Sequence, residues 1–313
     1  MSYLIDDPGC AASIGGNTGN PGCTMMPKNF VGAFLVRKDQ AFDAADLADI
    51  LTELQTRSLA AASVRLYPVG RFEEVKDNSE DITYQTYGYG GKYLVKEGRY
   101  DWTFSIVNGG LCHHKQFRKF HGSKDFAVIL YDADNTLYFN KKADGDYYGF
   151  SLENFNAIPW KVNDGSKGAA FDVHFALADP RELNDNVAYV KVDQSPFSSV
   201  PGILDVTLSI QTAFGTGTMK VTAKKSCSKE DLYDEFQTEI AAAGAWVLKD
   251  DAGNTKTITS VTADATVGGW IIAATLGADN YTLSLATPAA LAALNIGGPP
   301  DTGFESNVLS FTV

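Results

Sequence analysis

The sequence predicts a mainly β protein with α+β character: an antiparallel β-sandwich or barrel with a flanking helix, followed by a smaller C-terminal α+β domain. Many short runs after residue 62 alternate polar with aromatic or β-branched residues, as strands with one buried face do. Only Asp43–Ala62 and Lys229–Ala243 combine helical spacing of apolar residues with a length above ten. The 313 residues suggest about two domains, at roughly 150 residues per domain.

In the N-terminal half, residues 1–29 are loop-like and are predicted to form an extended arm. Asn29–Arg37 is the first predicted strand, and Asp43 can cap the helix that follows it. Ser63–Tyr67 reads as a short strand broken by Pro68, whereas Phe72–Asn78 carries no clear signal. Leu111–Gly122 is predicted to be helical. The remaining predicted strands are Asp81–Tyr89, Lys92–Val95, Tyr100–Val107, Phe126–Tyr131, Leu137–Asn140, Ala170–Leu177 and Ala188–Val192.

Prolines and serines at residues 196–202 mark a linker, which separates a domain at 30–195 from one at 203–313. The Lys229–Ala243 helix can be capped by Ser228, and Thr287-Pro288 opens a short helix to Leu294. The predicted strands of this half are Leu204–Ile210, Thr218–Lys224, Thr255–Ala263, Trp270–Leu276, Tyr281–Leu285 and Asn307–Val313.

The net charge is −12, from 26 Lys and Arg against 38 Asp and Glu. Such a surface argues against general affinity for nucleic acid, which requires basic groups; solubility is the simpler explanation of the charge. No run reaches the ~18 apolar residues of a membrane span, and the first residues lack a secretory signal. We therefore expect a soluble chain made in the cytoplasm.

The cysteines and histidines are the only candidates for soft metal ligands. Cys10 and Cys23 bracket a glycine-rich loop and could pair, although a reduced pair is favoured in the cytoplasm. No CxxC motif occurs. A structural role is favoured over a metal site for the other candidates, and no cofactor is predicted. These candidates are Cys112, His113, His114, His121 and His174.

The run Phe126–Phe139, FAVILYDADNTLYF, contains an Asp-x-Asp-x-Thr string at Asp132–Thr136. It resembles the first motif of haloacid-dehalogenase-type phosphatases, in which the first Asp is a nucleophile and the second a general acid beside magnesium. Here, however, a strand follows instead of a helix, and no βαβ series supplies the partner residues. A polar hairpin turn is the favoured interpretation, and no catalytic residues are predicted.

A tyrosine- and glycine-rich stretch is the candidate self-association site. Its aromatic residues could bind sugars or stack on bases, but such residues more often form a sheet core or an oligomer interface. The candidate residues are Tyr84, Tyr87, Gly88, Tyr89, Gly90, Gly91 and Tyr93.

Over residues 30–195 the order is strand, helix, long tyrosine-rich hairpin and antiparallel strands. The most characteristic segments are DITYQTYGYGG at Asp81–Gly91, Lys96–Arg99 leading into YDWTFSIV, GGLCHHKQFRKF at Gly109–Phe120, and the hairpin VILYDADNTLYF. In order and texture they resemble the tail-tube proteins of tailed bacteriophages.

The resemblance implies a cyclic homo-oligomer, in which each subunit adds a sheet to a continuous inner β-barrel and the rings stack. The loop Tyr84–Tyr93 would order on stacking, and the arm 1–29 would reach a neighbouring subunit. DNA would pass an acidic channel as non-specific cargo. The chain would reside in the virion after synthesis in the host cytoplasm, with other virion proteins as partners and no membrane insertion. The domain 203–313 would be a decoration.

Two other functions stay open. One is a monomeric β-rich carbohydrate-binding or adhesion module that uses the exposed aromatic residues. The other is a magnesium-dependent phosphatase using Asp132 and Asp134.

Overall fold

The computed structural model describes residues 28–107, 110–162, 168–299 and 302–313, together with the backbone of 3–5. They form two compact units. The first contains the described residues up to Leu54 and Val64–Ser198; the second contains Gln55–Ser63 and Ser199–Val313. The predicted linker, 196–202, spans the point at which the second unit begins.

The first unit contains an antiparallel sheet and a separate two-stranded hairpin, β5–β6. Its strands are β1 (Tyr3–Ile5), β2 (Phe30–Arg37), β3 (Tyr67–Val69), β4 (Glu74–Asp77), β5 (Thr83–Thr86), β6 (Lys92–Lys96), β7 (Asp101–Val107), β8 (Phe126–Asp132), β9 (Thr136–Lys141), β10 (Tyr147–Tyr148), β11 (Phe150–Ala157), β12 (Ala170–Leu177) and β13 (Val187–Lys191). Its helices are α1 (Ala44–Ala48), α2 (Ile50–Ser58, which continues into the second unit), α3 (Leu111–Phe117, followed by a 3₁₀ turn at Arg118–Phe120) and α4 (Arg181–Asn184).

The main path of the sheet runs β1-β13-β9-β8-β11-β12-β7-β4, with β2 also paired to β8 and β3 to β2. The alternation in β7 buries Trp102, Phe104 and Ile106, as the sequence predicts. These side chains join an aromatic-rich core with Phe155 and Phe175. The mainly β, antiparallel fold class is therefore confirmed.

The second unit has two sheets around its own core. Its strands are β14 (Ile203–Gly215), β15 (Thr218–Lys225), β16 (Trp246–Asp250), β17 (Thr255–Lys256), β18 (Ile258–Asp264), β19 (Gly269–Ala274), β20 (Asn280–Leu285), β21 (Gly303–Ser306) and β22 (Leu309–Thr312). One sheet has the order β18-β19-β15-β14-β21, with β14 and β21 parallel, and the other has the order β17-β16-β20-β22. The helices are α5 (Leu232–Phe236) and α6 (Pro288–Ala293).

Two predicted helices are shorter than expected. The helix predicted over Asp43–Ala62 breaks at Asp49, which has φ −131° and separates α1 from α2, although Asp43 does cap α1 by accepting from the Asp46 N–H. The helix predicted over Lys229–Ala243 contains only α5, and its N-cap is Asp231 rather than Ser228. Beyond α5, the indole N–H groups of two tryptophans bind the carbonyls of Gln237 and Ile240. The bond from Trp270 is a tertiary contact, the bond from Trp246 is local, and one i→i−4 bond, from the Ile240 N–H to the Phe236 carbonyl, persists beyond α5.

Strand bounds also differ from the prediction in several places. The strand expected at Ser63–Tyr67 lies at Tyr67–Val69 and contains Pro68, which is tolerated because β3 pairs only with β2 among the described residues. The Thr255–Ala263 strand is divided into β17 and β18. The sequence did not predict β1, β4, β10, β11, β16 or β21. In β11 a bulge at Leu152–Asn154 and several polar residues obscure the alternation.

Of the predicted arm, residues 1–29, the structure describes only the backbone of 3–5 and residues 28–29. The predicted Cys10–Cys23 pair lies outside the described residues. Within the described residues, no helix is long and apolar enough to cross a membrane.

Candidate functional site

A long two-stranded ribbon, defined here as Glu74–Ser105, leaves the edge of the sheet in the first unit. At its root Glu74 lies opposite Ser105 and Asp77 opposite Trp102. The same register continues through Glu80 opposite Arg99 to Thr83 opposite Lys96. Hence β4 and β7 lead into the β5–β6 hairpin in one register as far as Thr83, where an irregularity shifts the pairing so that Tyr84 lies opposite Leu94.

The root of the ribbon is held by contacts to the body of the first unit. Arg99 forms an ion pair with Glu153, which lies at the bulge in β11. His174 Nε2 lies 2.6 Å from Asp101 Oδ1. Bulges commonly redirect a side chain, and this one presents the Glu153 carboxylate to the ribbon. The root is therefore anchored by polar contacts as well as by the buried side chains of β7.

The ribbon tip, defined here as Ile82–Lys96, is exposed at every residue. Among the described residues, β5 and β6 pair only with each other. Tyr84 is 57% exposed, Tyr87 53%, Tyr93 62% and Tyr89 107%. An isolated two-stranded hairpin is marginally stable in water, and exposed apolar patches of this kind mark interaction sites. The tip is therefore an exposed hairpin rich in tyrosine that has no strand partner outside itself among the described residues.

The structure brings all seven predicted self-association residues together at this tip. Tyr84 lies in β5 and Tyr93 in β6, and the others form the turn between the strands. Gly90 donates its N–H to the Tyr87 carbonyl at 2.8 Å, and its φ of +80° favours glycine. The prediction did not include Ile82, Leu94 and Val95, which are also more than half exposed. The apolar run Tyr93–Val95 in the sequence could have indicated Leu94 and Val95.

The Asp132–Thr136 string forms the predicted hairpin turn between β8 and β9. The buried Asp132 carboxylate accepts from the N–H groups of Asp134 (2.9 Å) and Thr136 (3.1 Å) at Oδ1. At Oδ2 it accepts from the Tyr138 hydroxyl (2.7 Å) and the Lys28 N–H (3.2 Å). Burial and the hydrogen bond to Asp132 raise the pKa of Tyr138. The carboxylate thus serves as the acceptor around which the turn is organised.

The cysteine and histidine cluster is divided among separate contacts. His113 packs on Phe117 and Phe171, and burial lowers its pKa. His114 Nε2 lies 2.9 Å from the Ile158 carbonyl oxygen. Cys112 and Cys227 are each disulfide-bonded and are not free thiols. Within the described part of the chain, no group of three or more His, Cys, Asp or Glu could hold a metal ion.

Each unit also has a surface cavity. One in the first unit, of about 540 Å³, is lined by Val31, Arg71, Tyr131, Ala133, Asn135, Ser195, Phe197 and Ser198, with no histidine or carboxylate. One in the second unit, of about 410 Å³, contains Lys225 and Glu235. The Lys225 ammonium lies 2.5 Å from Glu235 and 3.1 Å from Glu230, so its charge is compensated.

No protein-family model matches the chain, and a comparison with curated proteins gives no match. The functional argument therefore depends on the geometry, and the ribbon tip is the most prominent candidate site.

Proposed function

We propose that the chain is a structural virion protein that assembles into rings or a tube of a phage tail, without catalytic activity. The observation that carries this proposal is the ribbon tip, which is anchored at its root and exposes its tyrosines. The tail-tube resemblance assigns to the same stretch an ordering role when rings stack. Other copies of the chain are accordingly the main partners, along with other virion proteins.

The edge of the sheet supports a cyclic assembly. Among the described strands, β4 pairs only with β7 and is exposed along its whole length. An open edge can pair with another chain, and a head-to-tail interface closes into a ring when its rotation permits. In such a ring the sheets would form an inner barrel, and an acidic lining would pass DNA without binding it.

The disulfide-bonded state of Cys112 and Cys227 also fits the proposal. Disulfides persist in oxidising surroundings such as virions and are rare in the cytosol. Synthesis in the host cytoplasm would then precede disulfide formation.

Electron microscopy of the purified chain, with light scattering after gel filtration, tests the proposal. We expect rings or tubes from the unchanged protein. A variant in which residues 82–96 are replaced by an Asn-Gly turn should remain monomeric with an unchanged thermal unfolding midpoint. A strictly monomeric unchanged protein at high concentration would contradict the proposal.

The exposed tyrosines are also the observation that favours a carbohydrate-binding or adhesion module. That alternative expects a monomer that binds specific sugars on a glycan array and loses binding when Tyr84 and Tyr89 become serine. A phosphatase instead requires magnesium-dependent hydrolysis that is lost when Asp132 is replaced.

A further inference from the structure

We propose that the surface cavity of the first unit binds a small organic carboxylate with an apolar body, and that the guanidinium of Arg71 holds the carboxylate. None of the residues that line this cavity belongs to the ribbon, Glu74–Ser105. The inference therefore goes beyond the assembly proposed above and does not depend on it.

Four segments of the first unit line the cavity. β2 and the residues after β3 supply one part, β8 with its turn supplies the second, and the segment after β13 supplies the third: Val31, Arg71, Tyr131, Ala133, Asn135, Ser195, Phe197 and Ser198. The volume of about 540 Å³ lies within the ~300–1,000 Å³ of sites that bind small molecules. The cavity is thus large enough for a ligand and is built by tertiary packing.

Two aromatic rings form the apolar wall of the cavity. The ring centroids of Tyr131 and Phe197 are 4.7 Å apart, and both rings pack on Phe34. A Cβ at Gly32 would lie 2.3 Å from the Phe197 ring and 2.5 Å from the Tyr131 ring, so glycine leaves room for this stack. Small-molecule sites combine such an apolar lining with a few polar groups that orient the ligand.

The polar groups of the cavity can all donate hydrogen bonds. Arg71 forms no ion pair or hydrogen bond with any described residue, and the same holds for the side-chain amide of Asn135. The Tyr131 hydroxyl is hydrogen-bonded to Ser195, and burial raises the pKa of Tyr131, which keeps this group a neutral phenol. Because a guanidinium matches a carboxylate with two parallel N–H···O bonds, a carboxylate is the complementary ligand.

The acidic side chains near the cavity leave Arg71 uncompensated. Glu73 does not line the cavity, and no ion pair joins it to Arg71 in the described structure. The Asp132 carboxylate accepts four hydrogen bonds within its turn, and Asp134 pairs with Lys28 at 2.6 Å. One positive charge balances a carboxylate, whereas phosphate carries up to two negative charges at neutral pH. The site therefore favours a monoanion.

Titration calorimetry of the full-length chain with phenylacetate tests the inference. Phenylacetamide has the same shape without the charge, acetate lacks the ring, and inorganic phosphate is a competing anion. The variant Arg71→Gln removes the guanidinium at an exposed position, and Lys124→Gln is the control because it removes one positive charge from another exposed position of the same unit. A second variant, Ala133→Phe, fills the cavity. The thermal unfolding midpoint reports folding in each case.

We expect phenylacetate to bind with a dissociation constant of ~1 mM or below, as its ten non-hydrogen atoms allow. Arg71→Gln should weaken this binding by roughly 10-fold or more, because a hydrogen bond to a charged group is lost. Ala133→Phe should weaken it similarly, and Lys124→Gln should leave it unchanged. Phenylacetamide and acetate should each bind more weakly than phenylacetate to the unchanged chain.

Several results would overturn the inference while leaving the proposed assembly standing. Unchanged phenylacetate binding by a folded Arg71→Gln protein, or no binding by the unchanged chain, would show that the cavity is not a carboxylate site. Equal binding of phenylacetamide would remove the role of charge. Tighter binding of inorganic phosphate than of phenylacetate would identify an inorganic anion as the ligand and remove the role of the aromatic wall.

Discussion

The Asp132 side chain distinguishes a catalytic role of the Asp132–Thr136 string from a structural one. A nucleophilic carboxylate needs an accessible oxygen beside its substrate. The Asp132 carboxylate instead accepts two hydrogen bonds at each oxygen and is 2% exposed. Its contacts are those of a turn acceptor, and the adjacent Asn135 adopts φ 61°. If this role is structural, replacement of Asp132 should lower the stability of the fold.

Replacement of Asp132 by alanine should lower the free energy of unfolding by about 2–3 kcal/mol, because the Thr136 N–H and the Tyr138 hydroxyl lose their acceptor in a buried site. Urea denaturation measures the change. Asp134→Ala is the matched control: its ion pair with Lys28 is exposed, and such pairs contribute about 0–1 kcal/mol. A fully stable Asp132→Ala protein that lost magnesium-dependent hydrolysis would support the phosphatase instead.

A second prediction at the residue scale concerns Asp250. The hydrogen bonds from Lys256 and Asn254 lower its pKa from 3.8 to about 2. Since the folded value lies below the unfolded one, this contribution to stability is complete above pH ~4 and is lost as the pH falls towards 2. Carbon-detected NMR titration of the carboxyl group should show this pKa. Lys256→Gln should shift it back towards ~4, whereas Lys249→Gln should not; equal shifts in both would contradict the assignment.

At the scale of elements, the ribbon combines an ordered root with a tip that lacks tertiary packing among the described residues. The root includes the buried side chains of β7, whereas β5 and β6 pair only with each other. Regions with few buried contacts open locally at low free energy. We therefore expect a protease to cleave the unassembled chain first in the ribbon tip.

Limited trypsin digestion of the unassembled chain should yield fragments cut after Lys92 and Lys96 before any cut after Lys220. Lys220 lies in β15 within the five-stranded sheet and pairs with Asp264 at 2.6 Å. Mass spectrometry of timed samples identifies the cuts. In assembled material the two tip sites should be protected. Early cleavage at Lys220, or no protection on assembly, would contradict the proposed role of the tip.

At the scale of the whole molecule, the described residues form two separate hydrophobic cores. Leu130 belongs to the core of the first unit and Leu283 to that of the second, and both are fully buried. Each core has its own sheets, although α2 supplies residues to both units. Two cores predict that thermal unfolding is not a single two-state transition.

Differential scanning calorimetry should resolve two transitions. Leu130→Ala should lower one midpoint and Leu283→Ala the other, each through a loss of about 2–5 kcal/mol from a buried cavity. Val308→Ala, at an exposed position, serves as the control and should leave both transitions in place. One common transition that both leucine variants shift equally would contradict this prediction.

Local patterns in the sequence were sufficient to predict several features of the structure. The alternation in β7, the turn at Asp132, the cap at Asp43 and the exposed chemistry of the tyrosine-rich hairpin depend on neighbouring residues. Each of these features depends on interactions between residues a few positions apart in the chain. The spacing of residue types in the sequence is therefore enough to predict it. The mainly β class followed from the sum of these patterns.

Only the tertiary structure decided the rest. The helix predicted over Lys229–Ala243 ends early, and beyond it the Gln237 carbonyl accepts from the indole of Trp270, 33 residues away. The strand β11 was missed because its bulge serves a contact with Arg99, 54 residues away. Residues Gln55–Ser63 belong to the second unit although more than 130 residues separate them from Ser199. The sequence by itself determined most of the strands, the turn at Asp132 and the candidate tip. The tertiary structure decided where elements end, which short or irregular strands form and which elements are left unpacked, because those outcomes depend on contacts between residues that are distant in sequence.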